Sequence, residues 1–328
     1  MDAWLNKLLL RGAELRGRWG LQESGSPLFL FVLAFLIVQL GLGWYWGREL
    51  PTFAVGAPDV VDLRPGGVLA ASLAQVGERL TGKPGGYLRN DLMPPGVLLD
   101  NVPAWEKGAL VQARDLVHVM YQGTGQPSAD ADLAEAEAGF AVADDSWAMP
   151  SAEAEIRRGS LALERYGRRL GQGGTGVTAF DERHLLQWLA VTNERLERMS
   201  ARLNAALPAY SAAPAVPALD GVTQMPETSW WAIDDVFYEA RGSAWTLLHL
   251  LKAAEIEFRP LLARRHAELS LRAAIHELEA TQQPVWSPLV LNGSGFGLFG
   301  NHSLVMANYL NRVQADLEDV LVLLRAGQ

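Results

Sequence analysis

The run LFLFVLAFLIVQLGLGWYW, Leu28 to Trp46, is nineteen residues without a charge. As a helix rising ~1.5 Å per residue it covers roughly 28 Å, close to the hydrocarbon thickness of a bilayer. Trp44, Tyr45 and Trp46 close the run, where amphipathic rings favour the headgroup region. A segment this apolar has three fates: a membrane span, a buried core helix or a cleaved signal. The run is long for a signal's apolar region, 27 residues precede it, and no A-x-A site follows. The reading is a transmembrane helix over residues 28–47. Lys7, Arg11, Arg16 and Arg18 stand before it, against only Arg48 and Arg64 at a comparable distance after it. The positive-inside rule then puts residues 1–27 in the cytoplasm and the bulk of the chain across the membrane. Residues 3–19 mix Trp4, Leu5, Leu8, Leu9 and Leu15 with four cations, which suits either a helix lying on an anionic leaflet or an ordinary tail.

Beyond the span the composition is that of a globular chain, with 49% hydrophobic and 20% charged residues overall. The absence of cysteine excludes disulfides, thiolate metal sites and thiol nucleophiles. A net charge of −9 speaks against sequence-independent nucleic-acid binding. Residues 48–66, rich in Pro and Gly, read as a linker. Helices are predicted at Gly67–Leu80, Ala104–Gln122, Ala129–Ala141 and Ser151–Leu170. Two heptad seams follow: Leu185, Leu189, Thr192, Leu196, Met199, Leu203, Ala206, and Ile233, Phe237, Ala240, Ala244, Leu247, Leu251, Ala254, Phe258. After Pro260 a helix resumes from Leu261 to Gln283, and a last one runs from Ser303 to Leu324. Alternating strand patterns are missing. The expected fold is mainly α: a transmembrane helix, then an extracytoplasmic antiparallel helical bundle of coiled-coil character, with two long irregular loops at 81–108 and 292–303. Its domain, 67–328, would have halves 67–207 and 229–328, joined by the Pro/Ala-rich stretch Leu207–Ser229.

Chemistry is sparse. Gly295, Gly297 and Gly300 spell G-x-G-x-x-G, but no second strand can follow, so the stretch reads as a helix connection with Asn301 or Ser303 as a cap. Two D-x-x-H pairs, Asp115/His118 and Asp181/His184, echo bundle metal sites; Asp181 at a helix start is better read as a cap. His266 and His276 share a predicted stripe with Leu262, Leu269 and Ala273, as structural groups or as a pH sensor. From Asp115 to Ile156 there is no cation, which reads as a solvated acidic hairpin or a face for a basic partner or divalent cation. In IDDVFYEARGSAW, Asp235 and Glu239 share a face at i,i+4, with Arg241 a member of the same polar network. No cofactor or metal site is expected.

Four segments, KPGGYLRNDLMPPGVLLDNVPAWEKGALVQARDL, WAMPSAEAEI, IDDVFYEARGSAWTLLHLLKAAEIEF and VLNGSGFGLFGNHSLVMANYLNR, resemble the DUF2333 proteins, a bacterial family of unknown function. The resemblance implies one membrane segment before a large domain, and marks both irregular loops as family features. It brings no catalytic residues. The expected role is therefore a scaffold acting through an envelope protein or through self-association. The candidate surface comprises Tyr87, Arg89, Asp91, Asp100, Trp105, Asp235, Glu239, Arg241, Asn292, Asn301 and His302. A ligand-binding or hydrolytic pocket where Arg89, Asp91, Asp100 and Arg241 converge is the alternative, with a membrane sensor as a third.

Overall fold

A computed structural model describes residues 26–56, 65–91, 93–123, 128–146, 151–172, 179–205, 233–284 and 302–326. The tail over residues 1–25, the whole Leu207–Ser229 stretch, Asn292, Asn301 and the glycines between them lie outside the described residues. All regular structure among the described residues is helical: α1 Ser26–Trp46, α2 Gly67–Gly82, α3 Asn101–Gln122, α4 Ala131–Phe140, α5 Ala152–Gly171, α6 Glu182–Ala205, α7 Ile233–Glu257, α8 Arg259–Arg264, α9 Glu268–Thr281 and α10 His302–Arg325, with short 3-10 turns at Leu88–Asn90 and Gly96–Leu98. The chain divides into two compact units, 1–46 and 47–328.

In the first unit α1 is long and apolar enough to cross a membrane, a property that signal sequences share. Its side chains, among them Leu28, Phe31, Ile37 and Leu40, are exposed, so no core of the protein accounts for their apolar character.

The helices of the second unit begin where capping chemistry is available. Asp100 accepts from Asn101 N–H ahead of α3, Asp130 from Asp132 and Leu133 ahead of α4, Ser151 from Ala154 ahead of α5, and Asp181 from Arg183 and His184 ahead of α6. The start of α2 has no cap of its own, because Gly66 with φ 111° precedes it. Glu257, at the far end of α7, reaches across instead and accepts from Val68 N–H (3.1 Å) and Leu69 N–H (3.3 Å).

Successive long helices alternate in direction: α3, α5, α7 and α10 run one way, α2, α4, α6 and α9 the other. Paired residues show it, with Glu239 meeting Arg202, Arg241 meeting Thr281, Asp130 meeting Arg169, and Phe237 facing His302. The most extensive contact joins α3 to α7. These two are parallel, since Trp105 touches Gly242 and Ala109 touches Thr246 further along both. They approach backbone to backbone. A Cβ on Gly108 would collide with the Glu239 carbonyl, and one on Gly242 with the Trp105 carbonyl. Beside the crossing, the Ser243 hydroxyl donates to Gln112 Oε1 (2.9 Å), Gln112 Nε2 to Thr192 Oγ1 (3.5 Å), and Thr246 to the Ala109 carbonyl (3.0 Å). Thr192, the one polar break in its heptad, is thus a partner in a buried network linking α3, α6 and α7.

The seams of α6 and α10 are buried as their spacing predicts, but α7 is buried on every side from Arg241 to Leu251, as a central helix must be. The helix expected over 261–283 is in fact two. His266, with φ 57°, breaks it and resets the phase. Leu271, Ala274, Ile275 and Leu278 consequently face inward, whereas Leu269 is 78% exposed and His266 and His276 face solvent, so the predicted apolar–histidine stripe does not exist.

The acidic run is neither fully solvated nor unpartnered. Asp130 is buried and pairs with Arg169 (2.6 Å), Asp132 and Glu135 pair with Arg165 (2.8 and 2.5 Å), and Glu137 meets His118 (2.7 Å). The balancing cations sit one helix later, on α5.

The crossing makes a direct prediction. Gly108→Ala or Gly242→Ala should cost about 1–3 kcal/mol or more by overpacking, since backbone atoms cannot step aside. Gly82→Ala, where nothing stands within 4 Å of the new methyl, should leave stability unchanged or raised. Urea denaturation of the detergent-solubilised chain followed by circular dichroism measures both.

Candidate functional site

The irregular segment between α2 and α3 is built around one carboxylate. Glu106, fully buried on α3, lies 2.9 Å from buried Lys83 Nζ and accepts from Leu88 N–H (3.0 Å) and Arg89 N–H (2.7 Å). Burial raises its pKa, while Lys83 and the two N–H groups act in the opposite sense. The 3-10 turn Leu88–Asn90 is therefore seated on α3. Arg89 extends from it to Asp144 (3.2 Å), beyond the end of α4. Asp91 is half-buried and packs on Gly96; burial raises its carboxyl, Lys83 opposing. Past this anchor the chain turns outward, leaving Met93 76% and Val97 50% exposed.

Two expected surface residues prove to be core. Tyr87 is buried, its hydroxyl pushed well above the ordinary value by burial and by the Glu106 and Asp144 charges. Trp105 packs on Trp245 with ring centroids 5.1 Å apart. Both supply large apolar area to the core, Trp105 at the α3–α7 crossing, which wins over any role at the surface.

The polar cluster of α7 splits between its faces. Glu239 accepts from Arg202 (2.8 and 3.1 Å) and Lys107 (3.1 Å). Burial would raise its carboxyl, but these cations outweigh it and hold the pKa below the ordinary value. Asp235, one turn earlier, is raised by burial and by neighbouring Asp234 and Asp100. Arg241 points elsewhere: it is buried and donates to Glu49 Oε2 (2.7 Å) and to the carbonyls of Thr281 (2.5 Å) and Gln282 (3.3 Å). The convergence of Arg89, Asp91 and Asp100 on Arg241 is thus not formed, since Arg89 and Arg241 hold carboxylates in different places. His302 is half-buried, 6.1 Å from the Phe237 ring, and burial lowers its pKa. Of the D-x-x-H pairs, Asp115 is paired with Arg195, His118 with Glu137, and Asp181 caps α6. A groove of about 540 Å³ between α2 and α5, floored by Gly67, Ala74 and Gly167, contains none of the expected site residues.

Sequence reasoning missed a strap. Residues 49–55, just past α1 in the chain and assigned to the linker, are fastened to α7 at three successive turns: Glu49 to Arg241, the Pro51 carbonyl to Trp245 Nε1 (3.3 Å), and Phe53 N–H to His249 Nε2 (2.9 Å). The register is geometric. Four helical residues rise ~6 Å and two extended residues ~6.7 Å, so every second strap residue meets every fourth helix residue. Because Nε2 of His249 accepts, its Nδ1 carries the proton and donates to the Trp245 carbonyl (2.6 Å). Phe53 is buried and stacks on the imidazole at 3.8 Å, with the Arg79 guanidinium 4.6 Å from the same ring. The one available signal was R-x-x-x-W-x-x-x-H along a helix with no solvent face.

Two groups of α7, the buried His249 under the strap and the half-buried Glu257 at the start of α2, are shifted in opposite senses. Burial lowers His249 from 6.5 to about 4, and raises Glu257 from 4.5 to about 7 against the α2 N–H groups that favour its ionised form. The Glu257 contribution to stability is complete below about pH 4.5 and lost as pH rises through about 7; that of His249 is complete above about 6.5 and lost as pH falls toward about 4. Glu257→Gln removes one of the opposing slopes. Its melting temperature should therefore fall more steeply than the parent's on acidification from pH 7 to pH 5, and parallel melting curves would contradict the assignment.

No curated protein matches this chain, and no solved structure does. The sequence model of a bacterial family described as "Uncharacterized protein conserved in bacteria (DUF2333)" matches residues 21–327, almost the whole chain, and the protein belongs to that family.

Proposed function

We propose that this is a single-span protein of the bacterial inner membrane, with its N-terminus in the cytoplasm and its helical domain, residues 67–328, in the periplasm, acting as a scaffold through an envelope protein. The observation that carries the reading is the contrast between Met93 and Val97, exposed at 76% and 50%, and the fully buried Glu106 that anchors the turn before them. An apolar tip on a fixed base is pre-ordered for contact, so little conformational entropy is lost on binding. Charged groups surround it, Arg89 with Asp144 and, at the starts of α3 and α7, Asp100 and Asp235. The finish of α9 and the start of α10 lie at the same end, beside Arg241 and Phe237.

On native gels of mildly solubilised membranes the parent should migrate above the lone chain. Met93→Asp with Val97→Asp should move it to lone-chain size while leaving the melting temperature within a few degrees, because both side chains are already in solvent. Leu269→Asp, at an equally exposed apolar position away from this end, should change nothing. A parent already at lone-chain size, or equal effects of both variants, would overturn the scaffold reading.

A further inference from the structure

Where α6 crosses the α3–α7 pair, a hollow of about 140 Å³ is floored by Gly108 and Ser243 and walled by Arg195, Arg198, Arg202 and Glu239. The floor lies where the two helix backbones meet, Gly108 of α3 against the Glu239 carbonyl of α7, with Ser243 beside it. The wall exists because arginines at 195, 198 and 202 share one face of α6. In a chain of net charge −9 this local excess of cations runs against the overall trend.

The nearby carboxylates orient the arginines more than they neutralise them. Asp115 takes Arg195 through Nε and Nη2, and Glu239 takes Arg202 through both terminal nitrogens, fixing each guanidinium plane. A guanidinium carries five donors, and such a pair uses two of them. Glu239 is also covered by Lys107 (3.1 Å), so four cations, Lys107, Arg195, Arg198 and Arg202, face three carboxylates, Asp115, Glu194 and Glu239. Arg198, 59% exposed, stands at the mouth, with Glu194 no nearer than 3.7 Å.

We propose that this hollow binds a single phosphate group, free or carried by a phospholipid headgroup. Size sets the class: at about 30 Å³ per water-sized atom, the space holds about five heavy atoms, one tetrahedral oxyanion, with whatever carries it left outside the mouth. Arginine donors set the preference, since fixed planar forks match phosphate oxygens in pairs. The ligand enters past Arg198 and rests against Arg195, with Ser243 below.

The test uses the full chain in a maltoside detergent that carries no phosphate, with inorganic phosphate titrated at constant ionic strength. Binding predicts a saturable rise in melting temperature with phosphate and none with chloride. Arg198→Ala, at an exposed position outside the packing, should melt like the parent without phosphate and bind phosphate about tenfold or more weakly, the loss expected for a charge-assisted contact, while Arg198→Lys recovers part of it. An equal response to chloride, or undiminished phosphate binding by Arg198→Ala, would overturn the proposal. Micelles of that detergent containing phosphatidylglycerol identify the source: apparent phosphate affinity falls if a lipid headgroup occupies the hollow and is unchanged if the ligand is free phosphate.

Discussion

The backbone contact of α3 with α7, Gly108 against Glu239 and Gly242 against Trp105, is the constraint from which the rest of the domain follows. With both glycine side chains reduced to hydrogen, two parallel helices touch through their backbones, and α7 sinks to the centre of the bundle. A helix buried on every side must satisfy its polar groups internally. Arg241 and His249 are satisfied by the strap, Ser243 and Thr246 by α3, and Glu239 by Arg202 and Lys107. Each of these contacts also fixes the axial position of a neighbour, so register and polar satisfaction are the same problem here.

That arrangement explains which parts of the structure were legible in the sequence. Most helix bounds were, to within a few residues, because the heptads of α6 and α10 bury one face and Asp181 caps α6. The start of α3 was not, since Asn101 opens it behind the Asp100 cap inside what reads as an irregular loop to 108. The break at His266 was not, since a positive φ at a non-glycine residue leaves no compositional mark. The strap was invisible for another reason: its partners lie nearly two hundred positions away, and an extended segment with proline and glycine reads as linker whether or not it is bound. The acidic hairpin misled because its cations come from the following helix.

The candidate site followed the same division. Arg89, Asp91, Asp100 and Asp235 were recognisable as polar groups in or beside an irregular loop, and the fold gathers them at one end. Tyr87 and Trp105 were chosen for their place in that loop, but aromatic area is drawn into the core. Glu239 and Arg241 are two positions apart, and two residues of helix turn side chains to nearly opposite sides, which separates a pair that the sequence sets together. Lys83 and Glu106, which hold the loop in place, carried no motif at all; a lysine and a glutamate twenty-three positions apart acquire meaning only once the chain has folded.

What emerges is a helical domain whose interior is fixed by close helix contacts and whose apolar tip projects at one end. Site-specific photo-crosslinking in intact cells tests this most directly. A photoreactive residue at position 93 is predicted to give discrete adducts with another envelope protein, and one at position 264, exposed on α8 away from that end, to give none. Adducts at 264 alone, or the same adducts from both positions, would contradict a binding surface confined to the irregular end.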